Sequence, residues 1–141
     1  MDQKPIILLV DDESTLRSIL ADMLTAAGYT CITAANGVDA LRIVESDLVA
    51  IDLMVSDVRM PGTINGVELA DQIRQSRPWT AVILISGYTT EGVGQEIRAK
   101  GYRLLEKPFR QHQLEAAVRE ELGRRPAAAS VVPLKRERDS G

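Results

Sequence analysis

The stretch IDLMVSDVRMPG, residues 51–62, decides how the chain is read. Ile51 to Val55 is a run of strand-forming residues, too brief for a helix, and it ends in Ser56 and Asp57 before the turn at Pro61 and Gly62. A lone aspartate at a strand end is ordinarily a turn residue whose carboxylate accepts nearby backbone N–H groups. It gains chemical meaning only where other charged groups converge on it, so the rest of the chain has to supply them.

Working outward, the spacing of apolar residues alternates between two patterns. Pro5 to Val10 (PIILLV) is a continuous apolar run, predicted to be a strand buried on both faces. From Leu16 the positions Ile19, Leu20, Met23 and Leu24 follow one helical face, with Ser14 or Asp12 placed to cap the helix and Gly28 to stop it. Tyr29 to Ala34 is a second strand, and Asn36 opens a helix with Val38, Leu41, Ile43 and Val44 inward. Beyond residues 51–55 come a helix from about Gly66 to Gln75 and a strand from Ala81 to Ile85. A helix over about Glu91 to Lys100, a strand from Tyr102 to Leu105 and a helix from Gln111 to Leu122 complete the series. Strand then helix, five times over, predicts an α/β domain with a doubly wound parallel sheet covered by helices on both faces. The predicted domain spans residues 1–123; the remainder, residues 124–141, shifts to prolines, small residues and a mixed charge cluster and reads as a flexible tail with no output domain.

Composition narrows the function. At 141 residues one domain is the expectation, and 45% apolar with 26% charged residues is a soluble globular balance. A net charge of −3 offers no general attraction to nucleic acid or anionic membrane. The single cysteine, Cys31, cannot form an internal disulfide and reads as core; the single histidine, His112, reads as a surface residue. No segment approaches the ~20 apolar residues that cross a bilayer, and the N-terminus lacks a secretory pattern, so a cytoplasmic location is expected.

In an open parallel sheet, ligands bind at the carboxyl ends of the strands. The predicted strands deliver Asp11 and Asp12, Asp57, Ser86, and Glu106 with Lys107 and Pro108 to that rim. Three carboxylates brought together repel, which favours a shared proton or a bound cation; all-oxygen donors suit Mg2+. Lys107 and the Ser86 hydroxyl are suitable contacts for phosphoryl oxygens, and a carboxylate can act as the nucleophile that forms an aspartyl phosphate. Asp57 is the candidate for that role.

The motifs LLVDDE (8–13), SDVRMPG (56–62), ISG (85–87) and EKPF (106–109) resemble, in order and spacing, the receiver domains of two-component response regulators, over about Lys4 to Leu122. The resemblance implies a flavodoxin-like (βα)5 fold with strand order 2-1-3-4-5. It implies that Asp57 accepts a phosphoryl group from a sensor histidine kinase or a histidine phosphotransfer protein. Asp12, Asp57 and the backbone carbonyl of Arg59 would ligate Mg2+, with Asp11 acting through water. Ser86 and Lys107 would contact the phosphoryl group, Pro108 matches a cis-proline position, and Arg59 and Tyr88 match positions that control water access.

There are two departures from the family pattern. Leu104 stands where the family usually has a switching aromatic, the nearest aromatic being Tyr102, and the loop from Pro61 to Gly66 is about one residue longer than common. The implied function is a single-domain regulator, not an enzyme in the usual sense, that signals by protein contact through its fourth helix, fifth strand and last helix. A phosphate sink or phosphorelay intermediate is the alternative. An FMN-binding carrier on the same architecture is disfavoured, since three rim carboxylates would repel a flavin phosphate.

Overall fold

In the computed structural model, which describes residues 4–60, 62, 64–87 and 91–124, each apolar run is a strand of one parallel sheet. The strands are β1 (Ile6–Val10), β2 (Thr30–Ala34), β3 (Leu53–Asp57), β4 (Ala81–Ser86) and β5 (Arg103–Glu106), in spatial order β2-β1-β3-β4-β5. They alternate with α1 (Ser14–Ala26), α2 (Gly37–Glu45), α3 (Gly66–Ser76), α4 (Glu91–Ala99) and α5 (Gln111–Arg124). The expected architecture and strand order are both present.

Because strand side chains alternate, each central strand feeds two cores. Leu8, Val10, Met54, Val82 and Leu84 face α2, α3 and α4, where Ala40, Val44, Leu69, Ile73 and Ile97 complete one cluster. Ile7, Leu9, Leu53, Val55, Ile83 and Ile85 face α1 and α5, packing on Leu20, Leu24, Leu114 and Val118. Burial on both faces is why these strands read as unbroken apolar runs.

Some local expectations are corrected. Ile19 is 51% exposed and Val38 41% exposed, because neighbouring apolar residues on a helix cannot all fall within one inward stripe. Neither Ser14 nor Asp12 caps α1: the residue at its N-cap is Glu13, whose N–H donates to the Asp11 carboxylate at 2.9 Å. Cys31 is half-buried on the edge strand, packed against the α1-side core, and burial pushes its thiol up to about 11. α3 carries a full capping box, the Asn65 side chain accepting from the Glu68 N–H and the Glu68 carboxylate from the Asn65 N–H. The last helix continues to Arg124, and residues 125–141, expected to form a tail, lie outside the described residues.

Candidate functional site

Register brings the polar strand ends together. Val10 pairs with Ser56, Asp57 with Ile85, and Ser86 with Glu106, so Asp11, Asp57, Ser86 and Lys107 each sit on a last rung or one residue past it. Backbone bonds extend the ladder into the turns: the N–H groups of Asp11, Val58 and Lys107 donate to the carbonyls of Ala34, Ile85 and Ser86 at 3.1, 2.8 and 2.8 Å. The rim is therefore anchored by sheet hydrogen bonds that run on into the turns.

Carboxylate oxygens of Asp11, Asp12 and Asp57 lie within 4.8 Å of one another. Asp11 is buried and Asp12 exposed, with Asp57 between those extremes. Lys107 Nζ stands 3.4 Å from Asp57 Oδ2, while Asp57 Oδ1 accepts from the Arg59 N–H at 3.2 Å. The Lys107 stem passes within 3.6 Å of where a Gly87 Cβ would lie. Ser86, on the neighbouring strand end, is buried. Burial raises the Asp11 carboxyl above its usual range; the charges of Asp57 and Asp12 add to the shift, against the Glu13 N–H bond and the Lys107 charge. Ionised Asp11 is thus held at a cost, and an oxygen-only donor set with surplus negative charge is the chemistry of a hard divalent cation site. The residues fit Mg2+.

Other expected positions are placed as follows. The Lys107–Pro108 peptide bond is cis. The Arg59 side chain is exposed. Tyr88 lies outside the described residues. Leu104 is half-buried in the α4-side core. Tyr102 is not at the rim: it lies just before β5, at the far end of the sheet, with its hydroxyl donating to Asp71 at 2.5 Å and Arg74 over its ring at 4.1 Å. Sequence reading passed over Arg17, whose guanidinium donates to the Asp11 carbonyl at 2.6 Å. Its partner is a backbone atom, so no motif marks it.

A doubly wound sheet that gathers three carboxylates, a hydroxyl and a lysine at its carboxyl edge has the fold and rim of a receiver. The comparisons agree: the response regulator receiver domain family model matches residues 7–119, and the chain belongs to that family. It is 37% identical over 117 residues to the sensor kinase CckA of Brucella abortus, an alignment covering 82% of this chain and 12% of that protein. It is 35% identical over 108 residues to the DNA-binding transcriptional regulator NtrC of Escherichia coli, covering 76% of this chain and 22% of the regulator. The chain thus spans under a quarter of the length of these curated relatives. Among solved structures, the response regulator protein TrrA from Thermotoga maritima in complex with Mg2+ and BeF aligns with a TM-score of 0.73 at 32% identity, covering 82% of this chain and 97% of that one. Among the described residues, no helix is long and apolar enough to cross a membrane.

Proposed function

We propose that this receiver is a phosphoacceptor in which Asp57 takes a phosphoryl group from the phosphohistidine of a sensor kinase or histidine phosphotransfer protein. One observation carries the reading: the Asp11, Asp12 and Asp57 carboxylates meet within 4.8 Å, with Lys107 Nζ 3.4 Å from Asp57. Asp12, Asp57 and the Arg59 carbonyl would hold Mg2+, with Asp11 acting through water. When bound, the ion supplies positive charge that offsets the attacking carboxylate and the incoming phosphoryl oxygens. An Asp57 carboxylate oxygen attacks phosphorus; the P–O bond forms as the P–N bond breaks, and the imidazole leaves with the electron pair. Lys107 then pairs with the phosphoryl oxygens, and the Ser86 hydroxyl donates to them from the adjacent strand end. The complex of TrrA with Mg2+ and BeF supports this chemistry by family likeness.

Phosphorylation adds about two negative charges beside Ser86 and Lys107. We read the output as protein contact through α4, β5 and α5 in the cytoplasm. Signalling there would depend on Ser86 and backbone movement, since Leu104 supplies no aromatic to rotate and Tyr102 is held at the far end by Asp71. Dephosphorylation would be water attack on the same acyl phosphate, tuned by Arg59 and Tyr88. A role as a phosphorelay intermediate or phosphate sink is the second reading, favoured by the likeness to the receiver domain of the hybrid histidine kinase CckA, 38% identical with a TM-score of 0.69. Incubation with acetyl phosphate and Mg2+, followed by intact-mass measurement, tests the phosphoacceptor. Wild type should gain one phosphoryl group and Asp57→Asn none; equal gain in both would place the chemistry elsewhere.

A further inference from the structure

Nine residues after Asp57 the chain returns to press against its backbone, and Gly66 is the residue that makes the approach. A Cβ at position 66 would lie 2.2 Å from the Asp57 carbonyl oxygen and 2.9 Å from Val58 Cα, while the Gly66 N–H donates to the Val58 carbonyl at 2.9 Å. Those obstacles are backbone atoms, so none can swing aside. The conformation of Gly66 does not itself require glycine, since its φ is not positive. Nor is Gly66 needed to cap the helix, since Asn65 does that. Close approach is what excludes a side chain. At the start of α2, Gly37 plays a milder version of the same part: a Cβ there would lie 3.0 Å from Ile64 Cβ and 3.1 Å from the Ile64 carbonyl oxygen. Two helix-opening glycines therefore seat the segment that follows Asp57.

We propose that Gly66 is a positioning residue for the phosphoacceptor: its missing side chain lets α3 close on the Asp57–Val58 peptide and fixes where the Asp57 carboxylate stands relative to Lys107 and the other two carboxylates. This rests on Asp57 being the phosphoacceptor. Ordinary contact begins at 3.4 Å, so alanine at position 66 forces the start of α3 and the Asp57–Val58 peptide apart by about 1 Å, a shift the acceptor shares. A misplacement of about 1 Å at a reacting group costs about 100-fold in rate.

The test is the rate of phosphorylation by acetyl phosphate in Mg2+, followed by intact mass, for Gly66→Ala and for the control Gly92→Ala, with urea melts of both. Gly92 lies in α4 with nothing within 4 Å of where its Cβ would be. Gly66→Ala should be phosphorylated about 100-fold more slowly per folded molecule, and Gly92→Ala at the wild-type rate. A purely structural role would move the urea midpoint and leave the rate of the folded molecules alone, so a wild-type rate in folded Gly66→Ala overturns the proposal. Should Gly66→Ala fail to fold, Gly37→Ala decides: its neighbour must give by a few tenths of an ångström, and a several-fold slower rate per folded molecule is expected, a wild-type rate being the contrary result. Failure of the underlying reading looks different. It would show as no mass gain in wild type, or a gain that persists in Asp57→Asn.

Discussion

Asp11→Asn should make the metal-free protein more stable. Asp11 is 2% exposed, and its charge is opposed by burial and by the carboxylates of Asp57 and Asp12. With the carboxylate oxygens within 4.8 Å of one another, each like-charge pair costs on the order of 3 kcal/mol or more at an effective dielectric of about 20. Attraction to Lys107 and solvent around the exposed Asp12 remove most of that, leaving about 1–2 kcal/mol of net relief. Asparagine keeps an Oδ1 to accept the Glu13 N–H, now bonded at 2.9 Å, so the substitution removes charge and little else. Urea melts near neutral pH in EDTA should show the variant about 1–2 kcal/mol more stable, with a melting temperature about 4 °C or more higher. Added Mg2+ should narrow or invert the order. A ligand at a hundredfold its Kd stabilises by about 2.7 kcal/mol, and the variant, short of one carboxylate, captures less of that. A variant less stable than wild type in EDTA would refute the electrostatic reasoning.

Lys107→Met removes the ammonium that stands 3.4 Å from Asp57, so Mg2+ should bind more tightly while phosphorylation by acetyl phosphate slows; amide NMR titration and intact mass read the two effects. Trp79 precedes β4 at the opposite end of the sheet, so its fluorescence is a poor reporter of this site. Tyr102→Phe deletes a hydroxyl bond to a carboxylate and should cost about 1.5 kcal/mol in urea melts. Burial pushes Asp71 up, but its bonds to Lys100 and Tyr102 outweigh this and leave it below the usual carboxylate range. The stability it contributes is therefore present above about pH 3.9 and lost as pH falls through its lower folded value, so the penalty of Tyr102→Phe should shrink in acid. Asn65→Ala breaks the capping box of α3 and should lower stability by about 1 kcal/mol, measured by the urea midpoint.

The sheet was legible because Ile6–Val10, Leu53–Asp57 and Ala81–Ser86 are buried on both faces, a condition that writes itself as an unbroken apolar run ended by a polar residue. The candidate site was legible for the same reason: Asp11, Asp57, Ser86 and Lys107 follow strand ends, and a parallel sheet brings those ends to one edge. Helix faces were less legible. Ile19 sits beside the inward Leu20, and Val38 lies in the first turn of α2, so only packing tells which apolar groups turn in. Least legible were contacts between a side chain, or the lack of one, and distant backbone. The Thr80 hydroxyl bond to the Ile51 carbonyl, the Arg17 bond to the Asp11 carbonyl and the press of Gly66 on Asp57 leave no periodic trace. The bond that ties Tyr102 to Asp71 was equally hidden, since the two lie 31 residues apart.

The central claim is that this rim holds Mg2+ and presents Asp57 to phosphorus. A crystal structure grown with Mg2+ and beryllofluoride, a tetrahedral stand-in for a phosphoryl group, tests it most directly. The account predicts beryllium bonded to an Asp57 carboxylate oxygen, fluorines facing Lys107 and Ser86, and Mg2+ beside Asp12. Beryllofluoride on another side chain, or Mg2+ bound away from the three carboxylates, would contradict it.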